Sequence, residues 1–296
     1  MHRQLLPNVP RLDSGLFRDA KSPAAPQVEK GSERRDATRA SVGRPTLENE
    51  IMALARLLDQ YMDPLLRGHR STCRDMVVSA LDNGISAKSL YSGLLFPAMQ
   101  RVEEMYRQDR INRVSEHMAV RINRTVADHV QSRLDRKPTL NKRILITCAH
   151  DEPEEFSAQM VSDLFEADGW EVFFVGGGIA RDEVAELVGK LQPTVLLIFG
   201  SKPTDAPIVR EMIDYIRELN ACPGLNIMVS GGVFNRAAGL WKEVKADLYA
   251  ATAIEALELA DAAEIRESDE RDPNGPKKRR RRRRPPLLAQ MEEANC

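Results

Sequence analysis

Glu116 and His117 follow Tyr106 by ten and eleven residues. A histidine preceded by a carboxylate, one helix away from an aromatic, can offer a neutral imidazole to a large planar metal cofactor. The bland alternative is an ordinary helix-surface histidine. A second polar group is the run His150, Asp151, Glu152, Pro153, Glu154 and Glu155. It reads either as a metal or acid/base cluster or as negative charge gathered at a helix N-terminus. Glycines form the third group: Gly176, Gly177 and Gly178; Gly200 before Ser201, Lys202 and Pro203; and Gly231 with Gly232. Glycine lets backbone approach a flat or bulky ligand, although plain turn chemistry accounts for it as well. No GxGxxG opens the first crossover helix and no GxxxxGK[ST] is present, which argues against dinucleotide and P-loop nucleotide sites.

The elements that must carry these residues fall into two series. From Thr46, an N-cap candidate, the apolar spacing turns helical, with Ile51, Leu54, Leu57 and Leu58 on one stripe. Further helices are predicted over 72–83, closed by Asn83 and Gly84, then 87–106 and 114–134, giving a bundle of four or five helices. Beyond a linker at Lys137, Pro138 and Thr139, short apolar runs at 143–149, 171–175, 194–199, 226–230 and 246–250 read as strands. They alternate with helical stretches at 156–168, 181–192, 206–219, 236–245 and 253–266. Near-continuous apolar strands separated by amphipathic helices imply a parallel sheet covered on both faces. The fold class is therefore α/β, an N-terminal helical bundle followed by a flavodoxin-like five-stranded sheet. Its ligand is expected beyond the carboxyl ends of the strands.

The domains expected are a disordered leader over 1–46, the bundle over 47–136, a Rossmann-like domain over 141–268 and a disordered basic tail over 269–296. The 296 residues, 42% hydrophobic, suffice for a substantial core. The net charge of −1 conceals a split: Lys277 through Arg284 contribute +8, leaving −9 for the rest. Nucleic-acid affinity would therefore come from that tail, as non-specific phosphate contact. Four cysteines without CxxC spacing argue against a thiolate metal site. No apolar run is long enough for a membrane span or signal peptide, so a cytoplasmic protein without membrane contact is expected.

Residues 95–106 (LFPAMQRVEEMY), Ile111, and the Ser115, Glu116, His117 triplet resemble the helical cap module of cobalamin-binding proteins. In that family's light-sensing members a tryptophan stands where Tyr106 does, and a Glu-His pair contacts the upper corrin face. Met160 to Leu164 and Gly169 to Val172 resemble the first helix and second strand of the cobalamin-binding domain, Ser201 its SxL serine, and Gly231 with Gly232 its GG pair. The resemblance implies cobalamin, as adenosylcobalamin or hydroxocobalamin, bound by Tyr106, Glu116, His117, Glu154, Gly177, Ser201, Gly231 and Gly232, with His117 as the metal ligand. Two departures stand out. In the DxHxxG loop, whose histidine ligates cobalt from below, Glu154 takes the histidine position and Ser157 the glycine. SxL has become Ser201, Lys202 and Pro203.

An upper histidine without the lower one is similar to the AerR/PpaA family of photosynthesis-gene antirepressors of purple photosynthetic bacteria. That resemblance implies a light-responsive regulator rather than an enzyme, acting through a CrtJ/PpsR-type transcriptional repressor. Three other readings stay open. One is a corrinoid carrier for methyl transfer, with His150 as the lower ligand. Another is a sensor of haem or a bilin, and the last a cofactor-free interaction module.

Overall fold

The computed structural model describes residues 47–149 and 154–266. The expected leader and the basic run lie outside the described residues, as do His150 and the rest of its loop up to Pro153.

The helical half begins with α1 (Leu47–Leu66), which buries Leu54, Leu58, Tyr61 and Leu65. Those positions recur at the helical period, so one stripe meets the core. Ile51, expected on that stripe, is 58% exposed, because the buried face starts one turn later. α2 (Arg70–Asp82) ends where Asn83 and Gly84 predicted. Gly84 has φ +90°, and the Ile85 and Gly84 amides bond the Ala80 and Leu81 carbonyls, a Schellman closure.

Ser86 then caps the next helix by accepting from the Ser89 amide at 3.0 Å. The single helix expected over 87–106 is three segments in series: α3 (Ala87–Leu90), a π-helical turn (Tyr91–Leu95) and α4 (Phe96–Arg107). Pro97 lacks the amide that would bond the Gly93 carbonyl, and its ring crowds that carbonyl, so the chain widens just ahead of it. α5 (Arg113–Gln131) completes the bundle, its buried Asn123 accepting from the Tyr61 hydroxyl at 2.8 Å and donating to the Leu95 carbonyl at 3.2 Å.

The second half has five parallel strands, β1 (Arg143–Cys148), β2 (Glu171–Gly176), β3 (Val195–Phe199), β4 (Asn226–Ser230) and β5 (Leu248–Ala250), in the order β2-β1-β3-β4-β5. Register runs straight across the centre, Ile144 opposite Val195 and Val195 opposite Asn226. This is the expected doubly wound sheet, with its strand order reversing between β1 and β3. α6 (Glu154–Ala167) and α11 (Ala253–Ala262) cover one face, and α7 (Arg181–Leu191) and α8 (Asp205–Leu219) the other. The helix expected over 236–245 is instead two short ones, α9 (Gly232–Arg236) and α10 (Leu240–Glu243). The first starts directly after β4 at the glycine pair, and Gly239 at φ +84° separates the two.

The bundle forms a further layer on the α6 side. One apolar core runs unbroken from Leu58, Leu65 and Val126 through Phe156 and Phe165 to Ile146, Leu197 and Met228 of the sheet. At this seam the Tyr91 hydroxyl and the Gln131 amide donate to the two oxygens of Asp163, each at 2.8 Å.

Candidate cofactor-binding cleft

Two helix ends define one wall of a cleft. α4 closes just past Tyr106: the Arg110 and Asp109 amides bond the Met105 and Tyr106 carbonyls, with Asp109 at φ +54°. α5 opens at Asn112, whose side chain accepts from the Ser115 amide at 2.9 Å. The intervening turn is short, so Tyr106 on the last turn of α4 and Glu116 and His117 on the first turns of α5 share one end of the bundle. Stepping back along α4, Phe96, Met99, Gln100 and Glu103 join Tyr106 at helical spacing.

The opposite wall is the carboxyl ends of β3, β4 and β5. Ser230 ends β4, and Gly231 follows at φ +105°. A Cβ there would stand 2.4 Å from the Gly200 carbonyl oxygen, so the two strand ends approach with room only for glycine. Asp205, fully buried, accepts from the Ser201 and Lys202 amides at 2.7 Å each and pins the loop after β3. Thr252 caps α11 by accepting from the Glu255 amide, while the Glu255 carboxylate returns to the Ala251 amide at 2.8 Å.

Between these walls lies a cleft of about 620 Å³. That is within the usual range for small-molecule and cofactor sites, and it sits at the sheet edge where this topology binds ligands. Its floor is apolar, with Val120, Val161 and Leu164 among its residues.

Tyr106, Glu116, His117, Ser201, Gly231 and Gly232 all line the cleft. Gly177 does not: it follows β2 on the other side of the sheet's switch point, and its amide donates to the Glu155 carboxylate at 2.9 Å. The side chain of Glu154 lies outside the described residues. Ser157, at the position of the family's glycine, does face the cleft.

His117 Nε2 accepts from Arg113 Nε at 3.3 Å, one helical turn earlier, which puts the imidazole proton on Nδ1. The bond is long, and both residues are exposed, so the Nε2 lone pair is held lightly. Burial raises the Glu116 carboxyl above its ordinary range, outweighing neighbouring cations such as Arg113 and Lys202. No cluster of three or more His, Cys, Asp or Glu that could hold a metal ion exists among the described residues. His117 is the sole histidine of the cleft among them. One imidazole beside an apolar floor fits a bulky group that carries its own metal.

Sequence reasoning missed Glu103 and Arg236, which join the two walls through an ion pair of 2.8 Å. Glu103 could have been found three residues before Tyr106 on the same helical face. Nothing in the sequence pairs it with a residue 133 positions away.

Residues 57–131 match the family described as B12 binding domain. That match supports cobalamin as the cofactor, and positions 106, 116 and 117 fall within the matched residues. The monomethylamine corrinoid protein of Methanosarcina barkeri is similar in structure, with TM-score 0.60 and 19% identity, covering 69% of this chain and 97% of that one. Its likeness confirms the fold, a helical part followed by a five-stranded parallel Rossmann-like sheet. A cobalamin-binding protein from Desulfitobacterium hafniense DCB-2 also matches, at 16% identity and TM-score 0.39, over 69% of this chain and 97% of that one. No curated protein sequence matches. Among the described residues no helix is long and apolar enough to cross a membrane.

Proposed function

We propose that this protein is a cobalamin-dependent, light-responsive transcriptional regulator that relieves repression by binding a CrtJ/PpsR-type repressor. The observation that carries the reading is the gathering of Tyr106, Glu116 and His117 on one wall of the cleft, opposite Ser201 and the glycine pair. Cobalamin held there would supply a cobalt able to take an imidazole ligand and, in its adenosyl form, a carbon–cobalt bond that light can break.

The chain's own residues supply the rest. Tyr106 and the apolar floor pack on a flat surface and exclude water. His117 presents Nε2 as a neutral donor once Arg113 swings aside. Glu116, on the same helix turn, would accept a hydrogen bond from the bound ligand. A ligand spanning the cleft contacts the bundle and the sheet together, so a change in what His117 binds alters how the two walls are held and the surface offered to a partner.

A second reading has an observation in its favour. The structural likeness to a monomethylamine corrinoid protein fits a carrier for methyl transfer, with His150 as the lower ligand. One experiment separates the two. The full-length protein is loaded with adenosylcobalamin in the dark, and its visible spectrum is recorded before and after illumination, for wild type and His117→Ala. The regulator reading expects a light-driven spectral change that His117→Ala alters, followed by light-dependent capture of the repressor. A light-driven change that is the same in wild type and His117→Ala, with no light-dependent capture of the repressor, would sink it and favour the carrier.

A further inference from the structure

The cleft is lined by four cations, Arg107, Arg113, Lys202 and Arg236, and two carboxylates, Glu103 and Glu116. A ligand of neutral amides and macrocycle alone would not call for that excess of positive charge. Arg107 is paired within α4 to Glu104 at 2.8 Å, and Arg113 lies on His117. Arg236 differs because it reaches across from the sheet wall to the bundle wall.

Arg236 closes α9, four residues after Gly232. Its guanidinium lies against that glycine: a Cβ on Gly232 would stand 2.5 Å from Arg236 Nη1 and 3.0 Å from Glu103 Oε1. Nη1 donates to Glu103 Oε1 at 2.8 Å, and Nη2 donates to the Ser201 carbonyl. Ser201 is itself held through its amide by buried Asp205, so the guanidinium is oriented from behind by a pinned loop. Glu103 is its exchangeable partner, on an ion pair about one-third exposed at both ends (37% and 36%), the class that contributes little to stability.

We propose that Arg236 anchors the phosphodiester of cobalamin's nucleotide loop, and that Glu103 is the carboxylate which that phosphate displaces. The inference rests on the reading of the cleft as a cobalamin site. Phosphate and carboxylate present the same paired oxygens to a guanidinium fork, so exchanging one for the other keeps Arg236 satisfied. Glu103, released, returns to water at the cleft mouth. Arg236 is thus a specificity residue: it selects corrinoids that carry a phosphate over those that do not.

The test titrates full-length wild type, Arg236→Gln and Glu103→Gln with three corrinoids, following their visible spectra. Hydroxocobalamin carries phosphate and base, cobinamide phosphate carries phosphate alone, and cobinamide neither. Wild type should bind cobinamide phosphate roughly tenfold or more tighter than cobinamide, as for a hydrogen bond to a charged group. Arg236→Gln should abolish most of that margin while cobinamide affinity stays within about twofold of wild type. Glu103→Gln should widen the margin, since it removes the competing carboxylate, and it does so independently of any folding defect at Arg236. Equal wild-type affinity for cobinamide and cobinamide phosphate would overturn the inference, as would an equal loss for all three corrinoids in Arg236→Gln. Both outcomes leave wild-type cobalamin binding, and with it the reading of the cleft, intact. If wild type retains no corrinoid at all, the reading of the cleft fails and the inference falls with it.

Discussion

At the scale of single residues, the cleft depends on two kinds of position: side chains that face it and backbone that must get out of the way. His117 belongs to the first kind, and its chemistry follows from the lightly held Nε2 lone pair. Gly231 belongs to the second. With φ +105° and the Gly200 carbonyl 2.4 Å from a would-be Cβ, Gly231→Ala strains the backbone and forces two strand ends apart. Its expected cost is roughly 2–4 kcal/mol, read as a lower denaturant midpoint at unchanged slope. Gly84→Ala makes a useful contrast. It too has positive φ, +90°, but nothing stands within 4 Å of its would-be Cβ, so a smaller loss of about 1 kcal/mol is expected. Equal losses for the two variants would mean that the close approach at Gly231 is not what makes the position demanding.

Between elements, the seam of bundle and sheet is sensitive to pH. Burial raises the Asp163 carboxyl on α6 to about 6, with the charges of Asp128 and Glu166 adding to the rise and the Tyr91 hydroxyl opposing it. Gln131 donates to its second oxygen. Because the folded value lies above the unfolded one, the folded state binds the proton more tightly. The resulting stabilisation is fully present below about pH 4 and is lost as pH rises through about 6. Asp163→Asn, neutral at every pH, lacks that slope. Denaturation midpoints measured from pH 4.5 to 7.5 should therefore show wild type losing ground relative to Asp163→Asn as pH rises to about 6 and little further change above it. A difference between the two that stays flat across that range would show that the Asp163 carboxyl does not titrate there. The π-helical turn matters at the same scale, since it supplies Tyr91 to Asp163 and the Leu95 carbonyl to Asn123.

For the whole molecule, the acidic body and the basic run from Lys277 to Arg284 are separable in charge. Eight cations in sequence neutralise phosphates without reading bases, and the counterions they displace make binding steeply salt-dependent. Deleting that run should weaken association with any duplex DNA and flatten its dependence on salt, while leaving corrinoid binding unchanged. Both can be read by fluorescence anisotropy at several salt concentrations and by corrinoid titration. DNA affinity that survives the deletion with its salt slope intact would move the contact onto the folded body.

Much of this protein is legible along the chain because periodicity is a local property. The helical stripe of Leu54 and Leu58, the glycine that ends α2, and the largely apolar runs of β1, β3 and β4 each declare an element from a dozen residues or fewer. The alternation of strand and helix then leaves little freedom in the sheet order, and with it the end at which a ligand sits. The spacing from Tyr106 to Glu116 and His117 is similarly local, spanning two helix ends and the turn between them. Tertiary structure decided what depends on residues far apart. It seated Arg236 on Glu103 across 133 positions, joined α6 to the bundle through Asp163, and left Gly177 on Glu155 instead of in the cleft. It also broke the helix expected over 236–245, where a glycine pair let the chain turn against Gly200 immediately after β4. A contact between distant residues costs chain entropy that only the assembled core offsets, so no local pattern announces it.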